Sequence, residues 1–281
     1  MILVADSGST KCSWVLCSNS EKLQYFNTIG FNPFFIKRAE ILEHLQKNDL
    51  HSISNKINEV HFYGAGCSDT QMCEKLKEDL SIFFQSAKII VKHDLDAACI
   101  ASYEGIPNIC CILGTGSNSC FYDGNKIIEV APALGFIVGD EASGNYFGKK
   151  VLQLYFNNKL DKDLEKDLED KYNLTLEEYY KNVYHSDRPN KYLAHFFKFL
   201  VDNKSEIIFQ KVMRNGLREF FELHICCFED YKNHPINFIG SVAHFLSDEI
   251  KEIAEEFDCT IGKIIRNPIE NLVQYHLKNQ S

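Results

Sequence analysis

Two short segments rich in glycine, serine and threonine are the parts of this sequence best suited to chemistry. They are Asp6-Ser7-Gly8-Ser9-Thr10-Lys11 and Gly114-Thr115-Gly116-Ser117, and each lies between two apolar runs. A strand, a polar glycine turn and a second strand are typical of a β-hairpin. The backbone N–H groups and hydroxyls of such a turn can hold phosphate oxygens. Each segment therefore predicts either a phosphate-binding hairpin or an ordinary polar turn.

The acidic residue that opens the first segment adds a possible metal site. Asp6 would face a Mg²⁺ ion held by the phosphates, through water, because Mg²⁺ keeps much of its hydration shell. The second segment does not fit a dinucleotide-binding motif. Ser119 stands at the third glycine position, and a strand-like run follows where that motif needs a helix. We therefore expect ATP with Mg²⁺ and no response to NAD.

Asp94 is the candidate general base. It follows the predicted strand at residues 88–91, and ligands of open α/β sheets gather at the carboxyl ends of strands. Two alternatives stay open from the residues alone. Asp is a favoured N-cap for the alanine-rich helix that follows, and Asp96 competes for the same catalytic role.

Two further glycine-containing turns precede predicted helices. Gly135 and Gly139 come before the acidic pair Asp140-Glu141, which is an unusually polar entry to a helix. Gly240-Ser241 follows a late strand, and small residues there would let a flat ring or a ribose approach the backbone. N-caps at Asp140 and Ser241 explain the same residues without a ligand.

The hydrophobic pattern predicts the elements that position these residues in two rounds. Strand-like runs lie at residues 1–5, 12–16, 60–63 and 88–91, with helical patterns at 37–48 and 70–84. The pattern restarts with a strand at 109–113, and the chain is mostly helical after residue 141. We expect an α/β protein with an N-terminal lobe at 1–108 and a C-terminal lobe at 109–281.

The bulk composition limits the partners and the compartment. The 281 residues are 45% hydrophobic and 25% charged with a net charge of -9, which is typical of a soluble globular protein. No basic patch stands out, so we expect no nucleic-acid partner. No apolar run approaches the roughly 20 residues of a spanning helix, and no signal-peptide pattern opens the chain. We expect a cytoplasmic protein without a membrane partner. The eleven cysteines contain no Cys-x-x-Cys pair, which argues against a metal or redox motif.

The order of the motifs is more specific than any one of them. A phosphate turn, a strand-end Asp, a second phosphate turn, a Gly-Asp-Glu loop and a late Gly-Ser turn resemble the sugar kinase/Hsp70/actin superfamily. Within it the chain resembles the N-acetylglucosamine kinases and the related BadF/BadG/BcrA/BcrD-type ATPases over nearly its whole length. The segments closest to the short bacterial members are Gly30-Phe31-Asn32-Pro33-Phe34-Phe35, Gly114-Thr115-Gly116-Ser117-Asn118-Ser119 and Gly139-Asp140-Glu141-Ala142-Ser143-Gly144.

This resemblance implies two ribonuclease-H-like (actin-like ATPase) lobes with an ATP cleft between them, closure over a sugar, and a homodimer. It implies that a helix at about 267–281 packs back on the first lobe, and that the second lobe carries a helical insert. The roles it implies cover three groups: the catalytic base Asp94; nucleotide and Mg²⁺ binding by residues 6–11 and 114–117 with Gly240 and Ser241; and sugar binding by Asn32, Phe34, Asn118, Gly135, Asp140 and Glu141. Ser7 departs from the family, which more often has a second glycine there.

The function implied is ATP-dependent phosphorylation of an amino sugar, with N-acetylglucosamine and its C6 hydroxyl as the first choice and N-acetylmuramic acid and glucosamine as alternatives. Asn32 and the phenylalanines beside it are equally compatible with a core or turn role. Two rival functions keep the fold. One is an ATPase activator of a radical dehydratase, which would need cysteine ligands for an iron–sulfur cluster. The other is a non-catalytic sugar-binding regulator.

Overall fold

Two five-stranded sheets with flanking helices make up the described chain, which in this computed structural model comprises residues 1–17 and 23–279. The chain divides into two compact units, Met1–Gly105 with Asn267–Ser281, and Ile106–Arg266. The sequence analysis divided the lobes after residue 108, counted the last helix within the C-terminal lobe, and expected that helix to pack back on the first lobe. These units divide three residues earlier and group the last helix with the first.

The first unit has a mixed sheet in the order β3-β2-β1-β4-β5. Strands β1 to β3 are antiparallel, whereas β4 and β5 run parallel to β1. Its elements are β1 (Ile2–Ser7), β2 (Lys11–Cys17), β3 (Gln24–Ile29), α1 (Arg38–Gln46), a 3₁₀ helix (Asp49–Lys56), β4 (Glu59–Gly64), α2 (Thr70–Phe83), β5 (Lys88–His93), α3 (Asp94–Ser102) and, at the carboxyl end of the chain, α13 (Ile269–Lys278).

Alternation along the strands supplies this sheet with two apolar faces. On one face Trp14 packs against Phe31, Phe62 and Phe84 beneath α1 and α2. On the other face Val4 and Val15 meet apolar residues of α13. The terminal helix is therefore part of the core of the first unit.

The second unit repeats the opening hairpin and then becomes helical. Its sheet has the order β10-β9-β6-β7-β8, with β6 antiparallel to β7 and parallel to β9. Its elements are β6 (Asn108–Leu113), β7 (Ser117–Tyr122), β8 (Ile127–Ile128), α4 (Gly135–Val138), α5 (Gly144–Phe156), α6 (Lys162–Tyr172), α7 (Leu176–Tyr184), α8 (Pro189–His195), α9 (Phe197–Asp202), α10 (Ile207–His224), a 3₁₀ helix (Tyr231–Asn233), β9 (Ile236–Ile239), α11 (Ser241–Phe245), α12 (Ser247–Glu256) and β10 (Ile261–Ile265).

The mixed α/β fold class is confirmed, and both predicted hairpins are present. The second turn is shorter than expected. The sequence analysis expected the return strand to follow Ser119, but β7 begins at Ser117, where Ser117 pairs with Leu113. Ser117, Asn118 and Ser119 are buried, and ladder hydrogen bonds outweigh their low strand propensity. In the part of the chain that the structure describes, no helix is long and apolar enough to cross a membrane.

Candidate active site

The first predicted phosphate turn is a tight hairpin at the end of β1 and β2. The N–H of Gly8 donates to the carbonyl of Lys11 at 3.0 Å, which closes the turn. Gly8, Thr10 and Lys11 are exposed, whereas Ser7 is buried. The tip of the turn therefore presents backbone and hydroxyl groups to ligand, while its base is fixed in the sheet.

The segment Gly30–Phe34 is hydrogen-bonded to the serines of this turn. The N–H of Phe31 donates to the Oγ of Ser7 at 2.9 Å, and the Nδ2 of Asn32 donates to the Oγ of Ser9 at 3.1 Å. Gly30 lies so close that a Cβ there would be 1.9 Å from the carbonyl oxygen of Gly8. The predicted sugar segment and the predicted phosphate turn thus form one hydrogen-bonded group.

Asn32 and Phe34 are placed differently within that segment. Asn32 is buried, and its Oδ1 accepts from the N–H of Phe34 at 3.0 Å, so part of its amide serves the local turn. Phe34 has 58% of its surface exposed. An exposed aromatic ring beside a fixed amide suits contact with a sugar face, although sugar binding by both residues stays a prediction.

Asp6 and Asp94 are close enough to influence each other's ionisation. Burial and the charge of Asp94 raise the pKa of Asp6 to about 7. Burial also raises the pKa of Asp94, while the neighbouring His93, whose Nε2 lies 3.1 Å from Oδ1 of Asp94, opposes that shift. A carboxyl whose charged form is penalised in this way fits a cation-binding role, because a hydrated Mg²⁺ would offset the penalty.

Asp94 is the first residue of α3, and His93 is the N-cap without a side-chain cap bond. The backbone N–H groups of Asp94 and Leu95 at the helix start act to lower the pKa of the Asp94 carboxyl, and burial outweighs them. A role at the helix start would lower the pKa of Asp94, so it does not explain why that pKa is raised. Asp96 instead lies 3.6 Å from Nζ of Lys92 in an ion pair. The geometry thus favours Asp94 over Asp96 as base, and the assignment stays a prediction.

In the second unit, the turn Gly114–Gly116 is held by the start of α5. The N–H of Gly144 donates to the carbonyl of Gly114 at 2.8 Å, and the N–H of Asn145 donates to that of Thr115 at 3.0 Å. Helix starts have unpaired N–H groups. The turn carbonyls pair two of them at the start of α5, and the N-cap Ser143 accepts from the N–H of Tyr146. Asn118, one residue into β7, is buried and accepts from the N–H of Ser119.

The carboxylate of Asp140 is bound to protein donors on both oxygens. Oδ1 accepts from the N–H of Ser117 at 3.2 Å, and Oδ2 accepts from Nδ2 of Asn145 at 2.9 Å. Burial raises the pKa of Asp140, and these two hydrogen bonds oppose the rise. A carboxylate offers about four acceptor positions, so sugar hydroxyls could still bind here. The hypothesis that Asp140 binds sugar is therefore open, but its first observed role is to hold the second turn.

Glu141 also has a partner within the protein. Its Oε2 lies 2.9 Å from Nε2 of His224, which is buried at the end of α10. Gly135 begins α4 with a positive φ of 73° and with open space where a side chain would be. Lys149 of α5 donates to the carbonyl of Phe136 in α4. Substrate contacts by Gly135 and Glu141 stay predictions.

The predicted adenosine turn meets the second phosphate turn. Gly240 has a φ of 124°, and a Cβ there would lie 2.2 Å from the carbonyl oxygen of Leu113. The short helix α11 begins at Ser241, and its N-cap is Gly240, which has no side chain to accept a hydrogen bond. Only glycine allows this approach and this backbone conformation, so the residue type at position 240 has a local structural reason.

Asn145 and His224 are the residues that the sequence analysis missed. Asn145 is in the first turn of α5, five residues after Asp140, and that spacing was the available clue. His224 is 83 residues from Glu141, and nothing in the local pattern connects them. Among the described residues, no group of three or more His, Cys, Asp or Glu side chains is arranged to hold a metal ion.

Comparison with known proteins gave matches among solved structures. No family model matches the chain, and no curated protein matches it. A candidate N-acetylglucosamine kinase from Porphyromonas gingivalis is 32% identical, with a TM-score of 0.91 and 100% of both chains covered. Such identity over the full length of both chains is evidence of common family.

Two more distant structures share the fold. A ROK-family glucokinase from Streptomyces griseus, in complex with glucose and AMPPNP, is 15% identical, with a TM-score of 0.57 over 98% of this chain and 97% of its own. MreB 5 of Spiroplasma citri, bound to AMPPNP, is 13% identical, with a TM-score of 0.59 over 99% and 94%. At these identities the likeness shows the fold alone, which is the actin-like ATPase fold.

Proposed function

Because the chain belongs to the family of the Porphyromonas gingivalis candidate N-acetylglucosamine kinase, we propose that it is an ATP-dependent amino-sugar kinase. The preferred acceptor is the C6 hydroxyl of N-acetylglucosamine. The observation that carries the proposal is Asp94: a carboxyl with a raised pKa at a strand end, within electrostatic reach of Asp6 at the base of the first turn.

Asp94 acts as the general base. Phosphoryl transfer has a loose transition state, so catalysis consists mainly of positioning and charge stabilisation. Asp94 accepts the proton of the sugar hydroxyl as that oxygen attacks the γ-phosphorus of ATP, and ADP leaves. A raised pKa makes this carboxylate a stronger base than an ordinary aspartate, which favours that proton transfer. The His93 side chain, 3.1 Å away, limits the rise in pKa and so keeps the carboxylate available.

The remaining residues of the first unit bind and orient. Asp6 is the residue that would hold Mg²⁺, and a bound ion there would supply neutralisation of phosphate charge. Ser9 and Thr10 contribute hydroxyl and backbone donors to phosphate oxygens. Asn32 hydrogen-bonds a sugar hydroxyl and Phe34 covers an apolar face of the sugar. The bonds of Phe31 and Asn32 to the first turn support this assignment, because they fix the sugar segment relative to the phosphate donors.

The second unit contributes a phosphate turn, an adenosine turn and an acidic loop. Residues 114–117 bind phosphate oxygens, and Gly240 with Ser241 lie against adenosine. Asn118, Gly135, Asp140 and Glu141 contact the sugar. Asp140 accepts two hydrogen bonds and Glu141 has one hydrogen-bond partner within the described residues. A carboxylate has about four acceptor positions, so each of these side chains can also accept hydrogen bonds from sugar hydroxyls.

The testing experiment is kcat/KM for glucose, glucosamine, N-acetylglucosamine and N-acetylmuramic acid, measured side by side with Mg²⁺ and ATP. We expect N-acetylglucosamine to be preferred, because a site that hydrogen-bonds a substrate group rejects analogues that lack it by large factors. Equal values for glucose and N-acetylglucosamine would contradict the amino-sugar assignment but leave a kinase. Turnover of no sugar would refute the kinase proposal.

The two rival functions give distinct results in the same preparation. An activator of a radical dehydratase would bind an iron–sulfur cluster, so anaerobically purified protein would be coloured and would contain iron and sulfide. A non-catalytic regulator would bind one of the four sugars in calorimetry without consuming ATP.

A further inference from the structure

Asn145 joins three parts of the second unit. It is 1% exposed in the first turn of α5. Its N–H donates to the carbonyl of Thr115 at 3.0 Å, and its Nδ2 donates to Oδ2 of Asp140 at 2.9 Å. It therefore contacts the second phosphate turn through its backbone and the acidic loop through its side chain.

The loop that Asn145 supports has a strained backbone. Asp140 and Ala142 have positive φ values of 59° and 54° although neither is glycine. Such conformations are unfavourable for residues with a side chain and persist only where the surroundings hold them. Asp140 is further fixed against Gly116, where a Cβ would lie 2.8 Å from its Oδ1. The hydrogen bond from Asn145 is one of two that hold the Asp140 carboxylate.

Two buried polar atoms near this hydrogen bond have no hydrogen-bond partner within the described residues. They are Oδ1 of Asn145 and Oγ of Ser117. Natural proteins rarely leave such groups unpaired, and each needs an explanation. An apolar residue at this position would avoid the unpaired oxygen, so the hydrogen bond from Nδ2 of Asn145 to Asp140 is the interaction that offsets its cost.

We propose that Asn145 is a positioning residue that holds the Asp140 carboxylate against the second phosphate turn, and so sets the binding of nucleotide and sugar together. This inference rests on the kinase function proposed above. Asn145 touches neither substrate. It acts through Asp140, whose Oδ1 orients the N–H of Ser117 at the turn and whose free acceptor positions face the sugar in that proposal.

The charges around Asp140 define what a substitution would do. Lys149 of α5 attracts the Asp140 carboxylate, and Glu141 of the same loop repels it. Glu141 is in turn bound to His224 of α10. A second carboxylate at position 145 would stand at hydrogen-bond distance from Asp140 and add repulsion. Two carboxyl groups at that distance cannot both be ionised, so they share one proton.

The first test is Asn145→Ala. Loss of the donor frees the Asp140 carboxylate, and a small misplacement of a positioning group can cost about 10²-fold in rate. We expect the KM values for sugar and for ATP both to rise and kcat/KM to fall by about 10²-fold. A merely structural role would lower the melting temperature without changing either KM.

The second test is Asn145→Asp, measured from about pH 5 to about pH 8, spanning the titration of a proton-sharing carboxyl pair. At low pH a shared proton restores a hydrogen bond to Asp140, and at high pH the carboxylates repel. The ratio of variant to wild-type kcat/KM should therefore fall as pH rises. Dividing by the wild-type value removes the titration of Asp94, which both proteins share.

The matched control is Asn237→Ala. Asn237 is also a buried asparagine of the second unit, and its Oδ1 accepts from the N–H of Lys263 away from the acidic loop. It should lose stability but keep wild-type KM values at every pH. The inference is overturned if both Asn145 variants keep wild-type KM values and a pH-independent ratio.

Failure of the proposed function gives a different result from failure of this inference. If the wild-type protein phosphorylates no sugar, the kinase proposal fails, and the binding of AMPPNP is measured by calorimetry instead. A Kd for AMPPNP that rises about tenfold in Asn145→Ala, as expected for a lost hydrogen bond to a charged group, would support the positioning of the second turn. An unchanged Kd would overturn it.

Discussion

At the residue scale, Asp94 combines a structural and a chemical position. The backbone N–H groups at the start of α3 act to lower the pKa of its carboxyl, yet burial keeps that pKa raised. The neighbouring acid, Asp96, is in an ion pair with Lys92 instead. The two aspartates are two residues apart, and they have different partners.

This difference leads to a prediction for matched variants. Asp94→Asn should lower kcat for sugar phosphorylation by about 10²–10⁴-fold, the usual contribution of a general base, with the fold and ATP binding retained. Asp96→Asn is the control and should keep most of the activity. Steady-state kinetics on both proteins decides the matter, and the assignment is wrong if the losses are reversed.

At the element scale, α13 is bound to its sheet by a pair of histidines. The rings of His61 on β4 and His276 on α13 stack with centroids 3.8 Å apart, and the Tyr63 hydroxyl lies 2.9 Å from Nε2 of His276. Burial, His61 and Lys92 lower the pKa of His276 to about 4. Burial likewise lowers the pKa of His61, with Glu59 opposing and Lys88 and Lys92 reinforcing the shift.

The lowered pKa values predict that the docking of α13 weakens in acid. An unfolded histidine has a pKa of about 6.5, so the unfolded state binds more protons between that pH and the folded pKa of about 4. The stabilising contribution of the pair is complete above pH 6.5 and is lost as pH falls towards 4. Amide hydrogen exchange of α13 should accelerate over this range.

The matched variants for this test are His276→Gln and His185→Gln. Gln cannot take up a proton in this range, so His276→Gln should flatten the pH dependence of exchange in α13. His185 is exposed at the end of α7, and its replacement should leave that dependence as in the wild type. Equal pH dependence in all three proteins would show that the histidine pair does not govern the docking.

At the scale of the whole molecule, each of the two units opens with a strand, a glycine turn and a second strand. The hairpins are β1–β2 and β6–β7, and in each unit a parallel strand lies beside the first strand of the hairpin. This repeated arrangement is consistent with the structural similarity to proteins of the actin-like ATPase fold. It places one candidate phosphate turn in each unit.

Two phosphate turns predict stabilisation by nucleotide. Mg²⁺ with AMPPNP at about 100 times its Kd should raise the free energy of unfolding by about 2.7 kcal/mol, seen as a higher melting temperature, and NAD should have no effect. Asp6→Asn is the matched variant, and it should lose the dependence of that shift on Mg²⁺. A shift with NAD and none with AMPPNP would contradict both the cofactor and the function.

Several features of this protein were determined by the sequence alone, because they depend on neighbours along the chain. The two hairpin turns follow from apolar runs separated by glycine and hydroxyl residues, and the position of Asp94 follows from the strand before it. The paired phosphate turns, the strand-end acid and the late Gly-Ser turn also indicated a two-unit α/β fold, since their order is a property of the chain.

The tertiary structure decided which groups these residues bind. Ser117 lies in a strand because β6 pairs with it, not because its own propensity favours one. The N–H of Ser117 reaches Asp140 across 23 residues, and Glu141 reaches His224 across 83. Contacts between distant residues depend on how helices pack on a sheet, and no local pattern encodes them. The sequence therefore located the acidic loop, and only packing revealed that its carboxylates hold the second turn and α10.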